Sequence, residues 1–260
     1  MKPGLSIGDS PLVLAQPHGG VDIPQSILDR LNPKGRAMGD TDWHITRLYN
    51  GLVESVTVVS TPIHRYVIDA NRNPSDVSLY PGQYTTSLCP TTTFDGDLIY
   101  QEGEAPSEDE LAERLRRYHT PYHDTLREQL ERVHQKHGYV VLYDCHSIRS
   151  EVPYLFDGKL PDFNIGTNSG QSCAAEFESV VVDICARQTQ LSHVSNGRFK
   201  GGWTTRHYGN PQNGFHAIQM ELAQCNYMQE KAPWGYDVDM AEKLRVTLRS
   251  ILQGILELRV

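Results

Sequence analysis

Several features are missing from this sequence, and each absence argues against a class of function. It has no run of 18 consecutive apolar residues, so it predicts no membrane span. The first residues, MKPGLSIGDSP, contain no apolar segment of the secretory-signal type, and we therefore expect a cytoplasmic protein. The five cysteines are odd in number and form no C-x-x-C pair, which argues against a disulfide framework or a zinc finger.

An excess of positive charge is also missing. The 24 Lys and Arg residues are opposed by 32 Asp and Glu residues, which gives a formal net charge of −8. This balance argues against nucleic acid or an anionic membrane surface as the main partner. A small anionic substrate remains compatible with it if basic residues line a local pocket. No G-x-G-x-x-G or Walker motif is present, so nothing supports a nucleotide cofactor.

The patterns that are present predict an α/β fold. The 260 residues contain no repeat or low-complexity linker, which fits a single domain over 1–260 with a long functional loop at 80–106. Short apolar runs predict buried strands at 12–15, 56–60, 66–68, 139–143 and 217–220. Amphipathic helix patterns lie between them, and the longest is expected to break or kink near Pro121. Such alternation predicts a largely parallel sheet covered on both faces.

Chemically capable residues follow these predicted strands. His18 follows the first, Asn71-Arg72 follows the run at 66–68, and His146 and Glu221 follow the last two. Because the carboxyl ends of parallel strands meet at one edge, we expect these side chains to converge. Two imidazoles, one carboxylate and one position left to water are typical of a catalytic zinc site. A further acid nearby can act as the general base on that water.

The third metal ligand is less clearly marked, because no H-E-x-x-H motif occurs. Our choice is Asp42, at the start of the predicted helix that carries Ile45, and Asp40 on the same turn remains an alternative. His44 is a weaker candidate because its helical face points away from that of Asp42. Cys145 is not expected to act as a nucleophile with His146, since neighbouring strand residues point to opposite faces.

Seven sequence blocks, in order, resemble the N-formylglutamate deformylase (N-formylglutamate amidohydrolase) family over about residues 10–235. They are PHGG at 17–20, DTDWH at 40–44, RYVIDANR at 65–72, TTTFDGDLIY at 91–100, DCHSI at 144–148, LPDFNIGTN at 160–168 and GRFKGGWTTRHYG at 197–209. The resemblance implies a metal-dependent release of formate from N-formyl-L-glutamate, which closes one bacterial route of histidine breakdown.

A more distant likeness points to zinc carboxypeptidases and acylamino-acid deacylases. It implies a zinc-exopeptidase-like (phosphorylase/hydrolase-like) fold of three layers, with a mostly parallel mixed central sheet. It also implies Zn²⁺ as the metal, with Glu221 as the base. Those enzymes have a Glu three residues after the first His as a metal ligand, and this chain has Val21 at that position. We therefore expect Asp42 to be the carboxylate ligand here. Co, Mn and Fe also suit a site with two histidines and a carboxylate.

N-formylglutamate is a dianion, so its pocket must supply cations, and arginine forks bind carboxylates well. The candidates are Arg65, Arg72, Arg198, Lys200 and Arg206. We prefer Arg72, which we also expect to stabilise the oxyanion, and Arg206, which lies in a Gly-rich aromatic loop. Further hydrogen bonds to the substrate are expected from Asn71, Thr85, Thr86 and Asn168.

Two other readings remain open. One is a zinc amidase for another N-acylated acidic amino acid or for a cell-wall amide. The other is a non-catalytic protein that binds an acidic amino acid. The complete set of two histidines, an acid and a glutamate favours the enzyme.

Overall fold

A mixed β-sheet runs through the centre of the protein. The computed structural model describes residues 2–77, 82 and 84–258. The strands are β1 (Gly4–Ser6), β2 (Leu12–Gln16), β3 (Thr57–Ser60), β4 (Val140–Ile148), β5 (Phe163–Gly166), β6 (His193–Ser195) and β7 (Phe215–Ala223). Their spatial order is β1-β3-β2-β4-β7-β5-β6. The four central strands are mutually parallel, whereas β1 and β5 run antiparallel to β3 and β7. The predicted mixed, mostly parallel sheet is therefore confirmed.

Helices cover both faces of this sheet. They are α1 (Gln25–Leu28), α2 (Pro33–Arg36), α3 (Ile45–Tyr49), α4 (Glu108–Arg114), α5 (Thr120–His137), α6 (Ala175–Ala186), α7 (Trp203–Tyr208) and α8 (Val238–Glu257). Tyr122 and Leu126 of α5 pack on one face of the sheet, against Val13 and Leu142. The apolar sides of α3, α6 and α8 fill the core on the other face. The result is the expected three-layer arrangement.

The longest helical pattern is interrupted where the sequence contains Pro121. A π-helical turn, Leu115–His119, separates α4 from α5, and the N–H of Thr120 bonds to the carbonyl of Leu115. Proline has no N–H and its ring clashes with the preceding turn, so the regular ladder does not continue across it. This confirms the expected break.

The apolar run at 66–68 does not form a strand, so that prediction was wrong. Its residues lie in a turn in which the N–H of Val67 donates to the carbonyl of His64. Tyr66, Val67 and Ile68 are buried among loop residues beside the sheet. A short apolar run has the same appearance in a strand and in a buried turn, so its sequence alone does not separate them.

Strands β4 and β7 are longer than predicted. His146 and Glu221 lie inside these strands rather than after them, and the two residues are direct partners in the parallel register. The ladder continues because backbone hydrogen bonding does not depend on side-chain polarity. Residues 80, 81 and 83 of the predicted loop at 80–106 lie outside the described residues, and the stretch 84–106 forms turns and isolated bridges. No helix of the described chain has the length and apolarity needed to span a membrane.

Candidate active site

Three side chains converge at the carboxyl edge of the central strands. His18 follows β2, His146 lies on β4, and Asp42 comes from the loop before α3; all three are buried. The Nδ1 atoms of His18 and His146 are 3.1 Å apart. The Oδ2 atom of Asp42 lies 3.3 Å from Nδ1 of His146 and 3.8 Å from Nδ1 of His18. The three ligands chosen from the sequence therefore form one cluster.

Backbone contacts hold Asp42 in this cluster. Its N–H donates to the carbonyl of His18 at 3.1 Å, and its Oδ2 accepts from the N–H of Ser147 at 3.0 Å. The sequence predicted that Asp42 lies at the start of α3. The helix instead begins after His44, which occupies the N-cap in the left-handed region at φ 61°. The alternative ligand, Asp40, instead accepts hydrogen bonds from the Tyr66 hydroxyl and from the N–H of Phe94, both at 2.8 Å.

Two further carboxylates orient the imidazole rings. Nε2–H of His18 donates to Oδ1 of Asp69 at 2.6 Å, so Nδ1 of His18 presents its lone pair to the cluster. Nε2 of His146 lies 3.1 Å from Oδ2 of Asp144 and 3.0 Å from Nδ2 of Asn71. Burial alone would raise the pKa of Asp69, but the interaction with His18 and the charges of Arg72 and Arg65 hold that pKa well below its usual range. Carboxylates in this position are typical outer partners of metal-binding histidines.

The cluster has the chemistry and the dimensions of a zinc site. Zinc ligands at about 2.0–2.1 Å in a tetrahedron lie about 3.3–3.4 Å from one another. The three observed separations of 3.1, 3.3 and 3.8 Å bracket that value. Two imidazole nitrogens and one carboxylate oxygen form the ligand set of a catalytic site that keeps one position open. The residues present therefore fit a divalent metal ion.

Glu221 lies beside this cluster on β7. It is opposite His146 in register, and both side chains line a cavity in front of the cluster. Its Oε2 accepts from Nε2 of Gln219 at 3.0 Å. Burial raises the pKa of Glu221 to about 8, against the opposing effect of His146. A buried carboxyl group with a raised pKa, beside side chains that can hold a metal ion, is suited to proton transfer.

The cavity in front of the cluster is lined by three arginines, Arg65, Arg72 and Arg198. Thr85 and Thr86 also line it, and Thr86 Oγ1 accepts from the Arg72 guanidinium at 3.0 Å. Aromatic and aliphatic side chains form the rest of the wall: Tyr84, Phe94, Ile148, Leu155 and Phe199. The sequence predicts that the pocket holds an anionic substrate and therefore contains cations. The observed lining contains such cations together with apolar surface.

Arg206, Lys200 and Asn168 do not line this cavity. Arg206 lies on α7, where its Nε–H donates to the carbonyl of Gly201 at 2.9 Å. Arg198 comes from the same Gly-rich block and does line the cavity, with its Nε–H donating to the carbonyl of Leu155. Position in a Gly-rich loop did not distinguish between these two arginines, because the loop turns into a helix after Gly202.

Arg65 is held by the acidic residues of the cluster. One of its terminal nitrogens donates to Oδ2 of Asp69 at 3.0 Å and another to Oδ1 of Asp42 at 3.4 Å. Its guanidinium carbon lies 4.7 Å from the centre of the Phe94 ring. Arg65 therefore balances buried carboxylates at the cluster.

The Cys145 thiol belongs to the hydrophobic core and not to the cavity. Its side chain belongs to the same core cluster as Leu14, Tyr143 and Met220. Burial raises the pKa of this thiol well above its ordinary value, which disfavours the nucleophilic thiolate. The geometry agrees with the expectation that Cys145 is not a nucleophile.

Comparisons with known proteins give matches over nearly the whole chain. The model of the N-formylglutamate amidohydrolase family matches residues 10–228. N-formylglutamate deformylase of Pseudomonas aeruginosa is 47% identical over 250 residues, covering 96% of this chain and 94% of that protein. The Pseudomonas putida protein of the same name is 46% identical, covering 96% and 93%. A crystal structure of N-formylglutamate amidohydrolase from Ralstonia eutropha JMP134 has a TM-score of 0.81 at 22% identity and covers 97% of both chains, which shows the same fold.

Proposed function

The chain belongs to the N-formylglutamate amidohydrolase family, and we propose that it cleaves N-formyl-L-glutamate to formate and L-glutamate in a metal-dependent reaction. The names of the two Pseudomonas relatives support this substrate. The observation that carries the metal dependence is the convergence of two histidine nitrogens and a carboxylate oxygen beside a buried glutamate.

We propose Zn²⁺ as the ion, held by His18, Asp42 and His146. When bound, such an ion supplies Lewis-acid polarisation of the formyl carbonyl and of the attacking water. Asp69 keeps Nδ1 of His18 directed at the cluster by accepting the hydrogen bond from Nε2. Asn71 restrains His146, since its Oδ1 accepts from the N–H of Thr204 while its Nδ2 faces the ring.

Glu221 is the proposed proton carrier. Its carboxylate accepts the proton of the attacking water and then delivers it to the amine nitrogen of the departing glutamate. Gln219 fixes the carboxylate because its Nε2 donates to Glu221, while its Oε1 accepts from the N–H of Gly202. The orientation of the Gln219 amide is thereby set by the backbone of the cavity wall.

Arg72 and Arg198 are the proposed partners of the two substrate carboxylates. Both guanidinium groups line the cavity, and both are anchored by backbone carbonyls, Arg72 to Thr86 and Arg198 to Leu155. Anchored forks lose little conformational freedom when they bind a carboxylate in two-pronged geometry. Thr85 lines the same wall, and we propose that it adds a hydrogen bond to the substrate.

The test is formate release from N-formyl-L-glutamate by the purified protein, with and without a chelator and after reloading with Zn²⁺. N-acetylglutamate and N-formylmethionine serve as comparison substrates. Activity that is selective for N-formylglutamate, lost on chelation and regained with Zn²⁺ is the expected result. Activity that survives complete metal removal would refute the metal mechanism, and a preference for another N-acylated acidic amino acid would refute the substrate.

A further inference from the structure

Two buried histidines donate hydrogen bonds to the backbone on either side of Asn71. Nε2–H of His119 donates to the carbonyl of Arg72 at 3.0 Å, and Nε2–H of His123 donates to the carbonyl of Ala70 at 2.7 Å. The residue between these carbonyls, Asn71, faces the ring of His146. The two histidines therefore hold the short segment that carries both Asn71 and Arg72.

The π-helical turn determines where His119 lies. The turn adds one residue before α5, which rotates the following helix by roughly 100° relative to α4. Leu111 and Leu115 consequently pack with the loop core around Tyr66, whereas Tyr122 packs on the sheet. His119 is the last residue of the turn, and in the chain it lies between Tyr118 of the first packing region and Tyr122 of the second.

The same two rings also contact the start of α7. The ring centre of Trp203 lies 5.6 Å from that of His119 and 4.6 Å from that of His123, in an edge-on arrangement with His123. Next along α7, the N–H of Thr204 donates to Oδ1 of Asn71 at 2.9 Å. The segment 70–72 is thus fixed from both the α5 side and the α7 side.

We propose that His119 is a positioning residue for Arg72, and that the π-helical turn is the structural device that supplies it. The hydrogen bond from His119 fixes the Arg72 carbonyl, and with it the point from which the Arg72 side chain enters the cavity. The inference rests on the proposed function, in which Arg72 binds a carboxylate of N-formylglutamate.

The test compares variants of His119 with a control variant in α5. His119→Leu removes the donor, and KM for N-formylglutamate is expected to rise about tenfold while kcat changes little, since binding and not chemistry is affected. His119→Gln retains an amide donor of similar reach and is expected to restore KM. His134→Leu is the control, because Nε2–H of His134, on the helix α5 that follows the turn, also donates to a backbone carbonyl, that of Asn213 at 2.9 Å, outside the cavity lining.

A double variant separates positioning from general loosening. If His119 acts through Arg72, adding His119→Leu to Arg72→Lys raises KM no further than Arg72→Lys alone. Should His119→Leu fail to fold, His119→Asn, whose amide is too short to reach the carbonyl, takes its place against His119→Gln. An active wild type with equal KM in the His119 and His134 variants, or a loss confined to kcat, would overturn this inference alone. No formate release by the metal-loaded wild type would overturn the proposed function, and the inference with it.

Discussion

Glu221 is the residue on which the chemistry depends most directly. Replacement by Gln keeps its size but removes its basicity, so kcat is expected to fall by about 10²–10⁴-fold while the metal stays bound. The measurements are formate release and metal content per chain. Glu230→Gln is the control, because Glu230 does not line the cavity. Its carboxylate accepts hydrogen bonds from the N–H and from the hydroxyl of Ser150. Near-normal turnover in Glu221→Gln would exclude Glu221 as the proton carrier.

Asp69 tests the support of the metal ligands. In Asp69→Asn the amide no longer provides a charged acceptor for Nε2–H of His18, so metal affinity is expected to fall about 10–100-fold. Competition with a chromophoric chelator measures this affinity. Asp162→Asn is the comparison, because Asp162 is also a buried acceptor but its Oδ2 binds Ser192, away from the cluster. Equal metal affinities in the two variants would contradict the assigned role.

Residue types at strand ends made much of the cluster predictable from the sequence. His18 and His146 meet because the carboxyl ends of parallel strands share an edge, and Asp42 joins them from the loop before α3. Asp69 and Asp144 lie in two of the sequence blocks that resemble the family, but the sequence did not predict that they orient the histidine rings. Their role depends on which ring nitrogen faces the cluster, and ring orientation is a property of the folded site. The distinction between Arg198 and Arg206 likewise depends on where α7 begins.

At the scale of elements, the first turn of α8 offers a paired test of capping. The Asp237 side chain accepts from the N–H of Met240 at 2.9 Å and caps this helix of 20 residues. Asp237→Ala is expected to lower the free energy of unfolding by about 1 kcal/mol. Asp239→Ala, an exposed change in the same turn, is expected to have less effect. Urea unfolding distinguishes them, and equal losses would argue against the cap.

The bounds of an element were predictable where a long pattern ended at a residue that breaks helices. Pro121 indicated the break before α5, which is observed as the π-helical turn. The turn at 66–68 was mistaken for a strand because three apolar residues satisfy either environment. β5, at 163–166, was not predicted. Its pairing with β7 is a long-range contact that four residues do not signal by themselves.

For the whole molecule, the stability against acid depends on buried neutral histidines. His64 is fully buried; its Nδ1 accepts from the N–H of Tyr66 and its Nε2–H donates to Oγ1 of Thr41. Burial, with the Arg65 charge, lowers the pKa of His64 to about 3. The unfolded chain takes up this proton near pH 6.5 and the folded chain does not, so stability falls as the pH drops from 6.5 towards 3.

Between pH 7 and pH 5, this single histidine is expected to remove about 2 kcal/mol from the free energy of unfolding. His64→Gln starts from a lower stability, but its loss over the same interval is expected to be smaller by that amount. Urea unfolding of both proteins at the two pH values gives the comparison. Parallel losses in wild type and variant would show that His64 is not held neutral.

Metal removal tests how far the whole fold depends on the site. Asp42, Asp69 and Asp144 are buried within one region, and Arg65 donates to only the first two of them. A divalent cation at the cluster would relieve the remaining repulsion, and an ion that binds only the folded state at about 100 times its Kd adds about 2.7 kcal/mol. For a chain of this size, chelation is then expected to lower Tm by about 5–10 °C. Scanning calorimetry measures the shift, and Asp42→Ala is expected to melt at the same temperature with and without chelator. An unchanged Tm after metal loss proven by elemental analysis would show that the site contributes to chemistry but not to the stability of the fold.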